Sequence, residues 1–171
     1  MILPIIKYGA SVLRDKAGQI DKADDFKQLS ENMFETLKQA QGIGLAGPQV
    51  NVLKNLFVID TTPFADDGTP TIEKAFINPE ILHFSEGEED YEEGCLSIPG
   101  IFERVRRPSS IEVRYRDLHF DIKEESLTGI EARIFQHEYD HLEGILFIDR
   151  IHQLRRKLIN RKLQQISKYR H

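Results

Sequence analysis

The chain has 171 residues, 40% of them hydrophobic and 30% charged, which is enough for one compact domain with a real core and short of two. Its net charge of −5 hides an asymmetry: Arg150 to His171 carries eight Lys/Arg and no Asp or Glu, leaving 15 basic and 28 acidic residues in the rest. The only cysteine, Cys95, excludes an intramolecular disulfide and suits a reducing cytoplasm, and no apolar run nears the roughly 20 residues that span a membrane.

The opening, MILPIIKYGA, has a short apolar run but neither a basic start nor a small-residue cleavage site, so it does not read as a signal peptide. Over 24–40, Phe26, Leu29, Met33 and Leu37 fall at helical spacing, with Asp24 or Asp25 as cap and Gly42 as stop. NLFVID at 55–60 is a continuous apolar run and suits a buried strand. KAFINPEILHF at 74–84 is strand-like and broken at Pro79. In SIEVRYR (110–116), Ile111, Val113 and Tyr115 alternate with charged residues. LHFDIKE (118–124) repeats the alternation through Leu118, Phe120 and Ile122, which predicts an antiparallel pair. A second helix starts near Thr128, where Thr128 and Glu131 have capping-box spacing, and ends at Gly144. Ile130, Ile134 and Leu142 point to its core side. A last helix spans 152–169, with Ile151, Leu154, Leu158 and Ile166 near one face. There is no repeat, no linker and no βαβ alternation, so the order predicts an α+β fold with antiparallel sheets.

Within the second helix stands QHEYDH, residues 136–141. Four helical residues turn roughly 400° and rise about 6 Å, so His137 and His141 share one face and can share one ion. Glu138 is rotated about 100° from His137 and flanks such an ion, which suits a proton carrier better than a ligand. The plainer alternative is an exposed helix with a chance histidine pair. Upstream, EEGCLS (92–97) holds the lone cysteine in an acidic, glycine-containing stretch that fits a turn or strand end. A lone cysteine is more often an inert core residue. As a thiolate joining two imidazoles, however, Cys95 would leave one tetrahedral position open, the arrangement of catalytic sites. Such a ligand set suits Fe(II), Co and Ni as well as Zn.

GIGLAGPQ (42–49) matches G-x-G-x-x-G literally through Gly42, Gly44 and Gly47. A dinucleotide loop must follow a strand and open a helix. This stretch follows a helix and meets Pro48, so no nucleotide cofactor is expected. The better reading is an extended segment whose small residues admit a ligand backbone, with Gln49 offering an amide donor to a developing oxyanion.

GIGLAGPQ, EGCLS and QHEYDH, in this order, resemble peptide deformylase, and the similarity runs from the ILPI start through HLEGILFID. The resemblance implies antiparallel sheets packed around a central H-E-x-x-H helix. It also implies a catalytic part at 1–149 and a basic C-terminal helix of the same domain at 150–171. The implied reaction removes the formyl group from formyl-methionyl nascent chains in the bacterial cytoplasm. One divalent ion, iron in cells, is held by Cys95, His137 and His141. Glu138 handles the protons, while Gln49 and the Leu96 backbone N–H bind the formyl oxygen. Ile43 and Gly44 meet the substrate, with Tyr91, Ile134 and the His137 ring as further pocket candidates. For Ile43, Tyr91 and Ile134, core packing is the plainer alternative. Glu93 is implied as the partner of Arg107, behind the ligands. The family usually has alanine where Gly47 stands, a difference expected to loosen the segment slightly. The basic helix is implied to dock on the ribosome; a solvated face complementing the acidic body is the alternative. A zinc endopeptidase or aminopeptidase shares H-E-x-x-H and is the competing class.

Overall fold

The computed structural model describes residues 1–169. Helix α1 (Phe26–Ala40) is capped by Asp25, whose side chain accepts from the Gln28 N–H. It ends at Ala40, as expected, but Gly42 is not the residue that turns the chain. Gln41, not Gly42, takes the left-handed conformation at φ 56°, and the Gly42 N–H then bonds the Leu37 carbonyl.

Strands β1 (Gly44–Ala46), β2 (Leu56–Asp60), β3 (Glu73–Phe84), β6 (Ser110–Arg116) and β7 (Ile122–Thr128) form one antiparallel sheet in the order β1-β2-β3-β6-β7. Strand β2 is buried on both faces, as its unbroken apolar run requires. Leu56 and Val58 pack with Met33 and Leu37 of α1, whereas Phe57 and Ile59 face the opposite side. There they meet helix α2 (Gly129–Leu142) through Ala132, Ile134, Phe135 and Leu142. The Phe135 ring stands edge-on to both Phe57 and Phe76, at 5.0 and 5.1 Å between centroids. A phenylalanine buried this fully contributes roughly 1.5–3 kcal/mol over an exposed one, and the ring geometry fixes where α2 sits on the sheet.

Pro79 does not break β3. The strand runs through it with a register shift between Ile77 and Glu80, and Asn78 takes φ 49° at the bulge. The partner of β6 begins four residues later than the alternation suggested. Residues 118–121 form a turn in which the Asp117 carboxylate accepts from the His119 and Asp121 N–H groups, leaving Leu118 and Ile122 exposed. Ile111 instead pairs with Leu127. No capping box forms at α2: the Thr128 side chain caps nothing, and Gly129 enters the helix at φ 57°.

A separate two-stranded hairpin, β4 (Glu88–Cys95) and β5 (Ile98–Pro108), sits between β3 and β6 in the chain. Cys95 pairs with Ile98 at its tip, so Leu96 and Ser97 make the turn. Ile98, Ile101 and Val105 of β5 join Leu13, Phe147, Ile159 and Leu163 in a third cluster. The last two belong to helix α3 (Gln153–Lys168). The stripe that docks α3 is thus Ile159, Leu163 and the half-buried Ile166. Leu154 and Leu158, expected on the docked face, are 64% and 69% exposed. Among the described residues no helix is long and apolar enough to cross a membrane.

Candidate active site

Helix α2 presents His137 and His141 on one face, one turn apart, with ring centroids 5.3 Å from each other. The hairpin turn brings Cys95 beside them, its Sγ 3.4 Å from His141 Nε2. One ligand atom from each of the three lies within 4.8 Å of the others. The donor chemistry fits a divalent cation: one sulfur and two imidazoles, both histidines buried. His137 is already oriented for it. Its Nδ1 lies 2.8 Å from Glu93 Oε1, which directs Nε2 into the cluster. His141 is held well below the usual imidazole range, first by burial and then by the charges of His137 and Arg107, so its ring keeps a free lone pair.

Glu93 is the hub behind the ligands. Oε1 accepts from His137 and from Arg107 Nη2 (3.0 Å); Oε2 accepts from Arg107 Nε (2.6 Å) and Arg133 Nη1 (2.8 Å). Burial works against its charge, yet the His137 and Arg107 bonds win and hold the carboxyl well below the ordinary range. Arg107 passes on to Asp140 at 2.8 Å, and Asp140 accepts two bonds from Arg150. The Glu93–Arg107 pair expected from the sequence is therefore present, inside a longer buried chain.

Glu138 faces β1. A Cβ on Gly44 would come within 2.6 Å of Glu138 Oε1, so only glycine lets the strand lie against this carboxylate. Glu138 Oε2 is buried and has no hydrogen-bond partner among the described residues. Burial pushes its carboxyl up to about 7, where it can both take and return a proton near neutrality. The neighbouring glycine, Gly47, does not loosen the segment. A Cβ there would sit 2.6 Å from the Val52 carbonyl and 2.8 Å from that of Lys54, because Gly47 opens a short 3-10 turn (Gly47–Val50) that packs closely against the loop that follows.

Gln49 is buried and its amide is oriented. Oε1 accepts from the Ala46 N–H at 2.9 Å, which turns Nε2 toward Ser97 Oγ (3.1 Å) and Cys95 Sγ (3.5 Å). A cleft of about 600 Å³ opens over these groups. Ile43, Gly44, Gln49, Tyr91, Leu96 and Ile134 all line it, beside His137 and Glu138. Ile43 and Tyr91 are partly exposed and so are not core residues, whereas Ile134 is buried and serves core and cleft together. Ile130, expected in the core, is 45% exposed and lines the cleft instead.

The sequence reading missed Arg133, Ser97 and Asp140. Arg133 was findable: it precedes His137 by four residues and so lies on the ligand-bearing face.

An α+β domain whose H-E-x-x-H helix offers two imidazoles and a flanking carboxylate, completed by a cysteine from a hairpin tip, is a metal-dependent hydrolase of the peptide-processing class. The polypeptide deformylase family model matches residues 2–157, and the chain belongs to that family. It is similar to the peptide deformylase of Cytophaga hutchinsonii, 45% identical over 98% of this chain and 92% of that protein. A plant peptide deformylase structure superposes with a TM-score of 0.89 at 39% identity, covering 97% of this chain and 89% of the other. The enzyme from Thermus thermophilus superposes at 0.88 with 36% identity, covering 99% and 100%. The chain is accordingly a metal-dependent hydrolase that removes N-terminal formyl groups.

Proposed function

We propose that Cys95, His137 and His141 hold one divalent ion, Fe(II) in the cell, with Zn, Ni and Co as competent substitutes. The observation that carries this reading is the convergence of these three donors beside a buried carboxylate whose Oε2 has no hydrogen-bond partner among the described residues. When bound, such an ion supplies Lewis acidity toward a carbonyl oxygen and toward a water molecule. Glu138 takes a proton from the attacking water and returns it to the departing amine. The Gln49 amide, steadied by Ala46, and the Leu96 N–H receive the charge that develops on the formyl oxygen. Ile43, Gly44, Tyr91, Ile134 and the His137 ring accept the methionine that follows. Glu93, backed by Arg107, holds His137 in its ligating orientation.

The central helix of this reading is α2, with the large sheet on one side and the hairpin on the other. Residues 1–149 form the catalytic part and 150–171 a basic C-terminal segment of the same domain, whose helix α3 is anchored by Ile159 and Leu163. A lone free thiol suits the cytoplasm. The test is direct: protein purified without air should contain about one iron per chain and release formate from formyl-Met peptides with no internal cleavage. Internal cleavage without formate release would favour the endopeptidase class.

The basic helix is the proposed ribosome contact. Some of its cations already serve the body: Arg155 pairs with Glu103, Arg150 with Asp140, and Arg156 donates to the Tyr8 hydroxyl. Among the described residues Lys157, Arg161 and Lys162 make no ion pair; Arg170, also part of the basic run, lies outside those residues. Reversing the three to glutamate keeps the Ile159–Leu163 anchor. Ribosome co-sedimentation at low salt should then fall steeply while formate release from short peptides holds, since RNA phosphates give a strongly salt-dependent attraction. Salt-insensitive binding that survives the reversal would reject the contact.

A further inference from the structure

Arg133 is buried, lines the cleft, and takes no part in the chemistry described above. Its guanidinium makes three bonds to three different places. Nη1 donates to Glu93 Oε2 and to the Val105 carbonyl, both at 2.8 Å, and Nη2 donates to the Glu89 carbonyl at 2.7 Å. Glu89 lies on β4 and Val105 on β5, so one side chain from α2 grips both strands of the hairpin. Tyr91, two residues beyond Glu89 on β4, pairs with Val105, and the Arg133 guanidinium lies 5.7 Å from its ring centroid. Tyr91 and the hairpin line the cleft together with Ile130 and Ile134 of α2, so the placement of the hairpin against α2 bears on its width. Helix α2 is tied to the hairpin at several points, through His137 to Glu93, Asp140 to Arg107 and Gln136 to the Pro108 carbonyl, but each of those side chains reaches one strand, whereas Arg133 holds both strands beside Tyr91.

We propose that Arg133 is a specificity-determining residue: by clamping β4 and β5 onto α2 it fixes the width of the apolar cleft and so selects the side chain that follows the formyl group. This rests on the deformylase reading of the cleft. A planar guanidinium can span two carbonyls and a carboxylate at once, which a single ammonium cannot do in the same geometry. Without the fork the hairpin wall yields, and bulkier side chains gain relative to methionine. The metal ligands are insulated from the change, because Glu93 keeps both Arg107 bonds and His137.

The experiment compares kcat/KM for formyl-Met-Ala-Ser and formyl-Phe-Ala-Ser in the parent, Arg133→Met and Arg133→Lys. The parent should prefer methionine. Both variants should keep the parent's metal content while the Met-to-Phe ratio falls about tenfold, the scale of discrimination that an apolar pocket provides. A merely structural role predicts something else: lower melting temperature, both peptides slowed alike, ratio unchanged. That result overturns the proposal. Should Arg133→Met fail to fold, Arg133→Lys decides alone, and a folded lysine variant with a ratio within twofold of the parent overturns it too. A parent that releases formate from neither peptide removes the deformylase reading itself. A parent that does, with variants of unchanged ratio, removes only the role of Arg133.

Discussion

Glu138→Ala keeps about one metal ion per chain and loses between 10²- and 10⁴-fold of the parent's rate of formate release, the range that a positioned acid–base group contributes. Three features place it at the upper end of that span. Glu138 is proposed to act twice, on the water and on the amine. Among the described residues its Oε2 has no hydrogen-bond partner and its Oε1 only approaches His137 Nε2, at 4.0 Å, so the burial leaves an oxygen free for a ligand. Gly44 is shaped around it, since any Cβ there would collide with Oε1. The substitution leaves every donor atom of the ligand set in place, because Glu138 is not one of them. Elemental analysis and single-turnover formate release on the same preparation separate the two effects. Activity within threefold of the parent would take Glu138 out of the mechanism.

The two halves of the site differed in how far the sequence disclosed them. His137, Glu138 and His141 were legible because a four-residue spacing on a helix is itself a geometric statement. Cys95 was legible as a ligand type and as a strand end, but not as the tip of a hairpin. Strand β4 reads EEDYEEGC and is exposed along most of its length, so it carries no apolar alternation. Its signal is charge: acidic β4 faces basic β5, with Arg106 near both Glu88 and Asp90. On β5 the inward positions include Glu103 and Arg107, buried charges that break a hydrophobic pattern; Glu103 is satisfied by Arg155 and Arg107 by Glu93 and Asp140. The Glu93 pairing came from the resemblance, whereas no local reading could supply Arg155 or Asp140. Helix α3 failed for a different reason. It has two apolar stripes, and only the third cluster decides that Ile159 and Leu163 dock while Leu154 and Leu158 stay exposed. The segment at 118–124 shows turn chemistry overriding alternation: Asp117 closes a loop just where the pattern suggested a strand.

Cys95→Ser loses its metal. The hydroxyl that replaces the thiolate is neutral at pH 7, harder, and carried on a shorter bond, so it offers a weaker ligand to a cation that two imidazoles alone hold poorly. One ligand of this kind is worth on the order of 10²-fold in affinity, given the large free energies of complete thiolate–imidazole sites. The side chain has a second duty, since the Gln49 amide lies 3.5 Å from Sγ; serine can still accept there, so Gln49 keeps its Ala46 and Ser97 bonds and the fold around the turn should hold. Activity alone would not distinguish lost metal from altered chemistry, so the measurement is thermal stability against added ion. At a free concentration a hundred times its Kd, an ion that binds only the native state stabilises the parent by about 2.7 kcal/mol. For a chain of this size that is a rise of roughly 5–10 °C in Tm. At the same nickel concentration Cys95→Ser should rise by little, while Glu138→Ala should rise as the parent does. Equal occupancy and an equal rise in the serine variant would mean that the third ligand is not Cys95, and the cluster of Cys95, His137 and His141 would have to be replaced by another donor set.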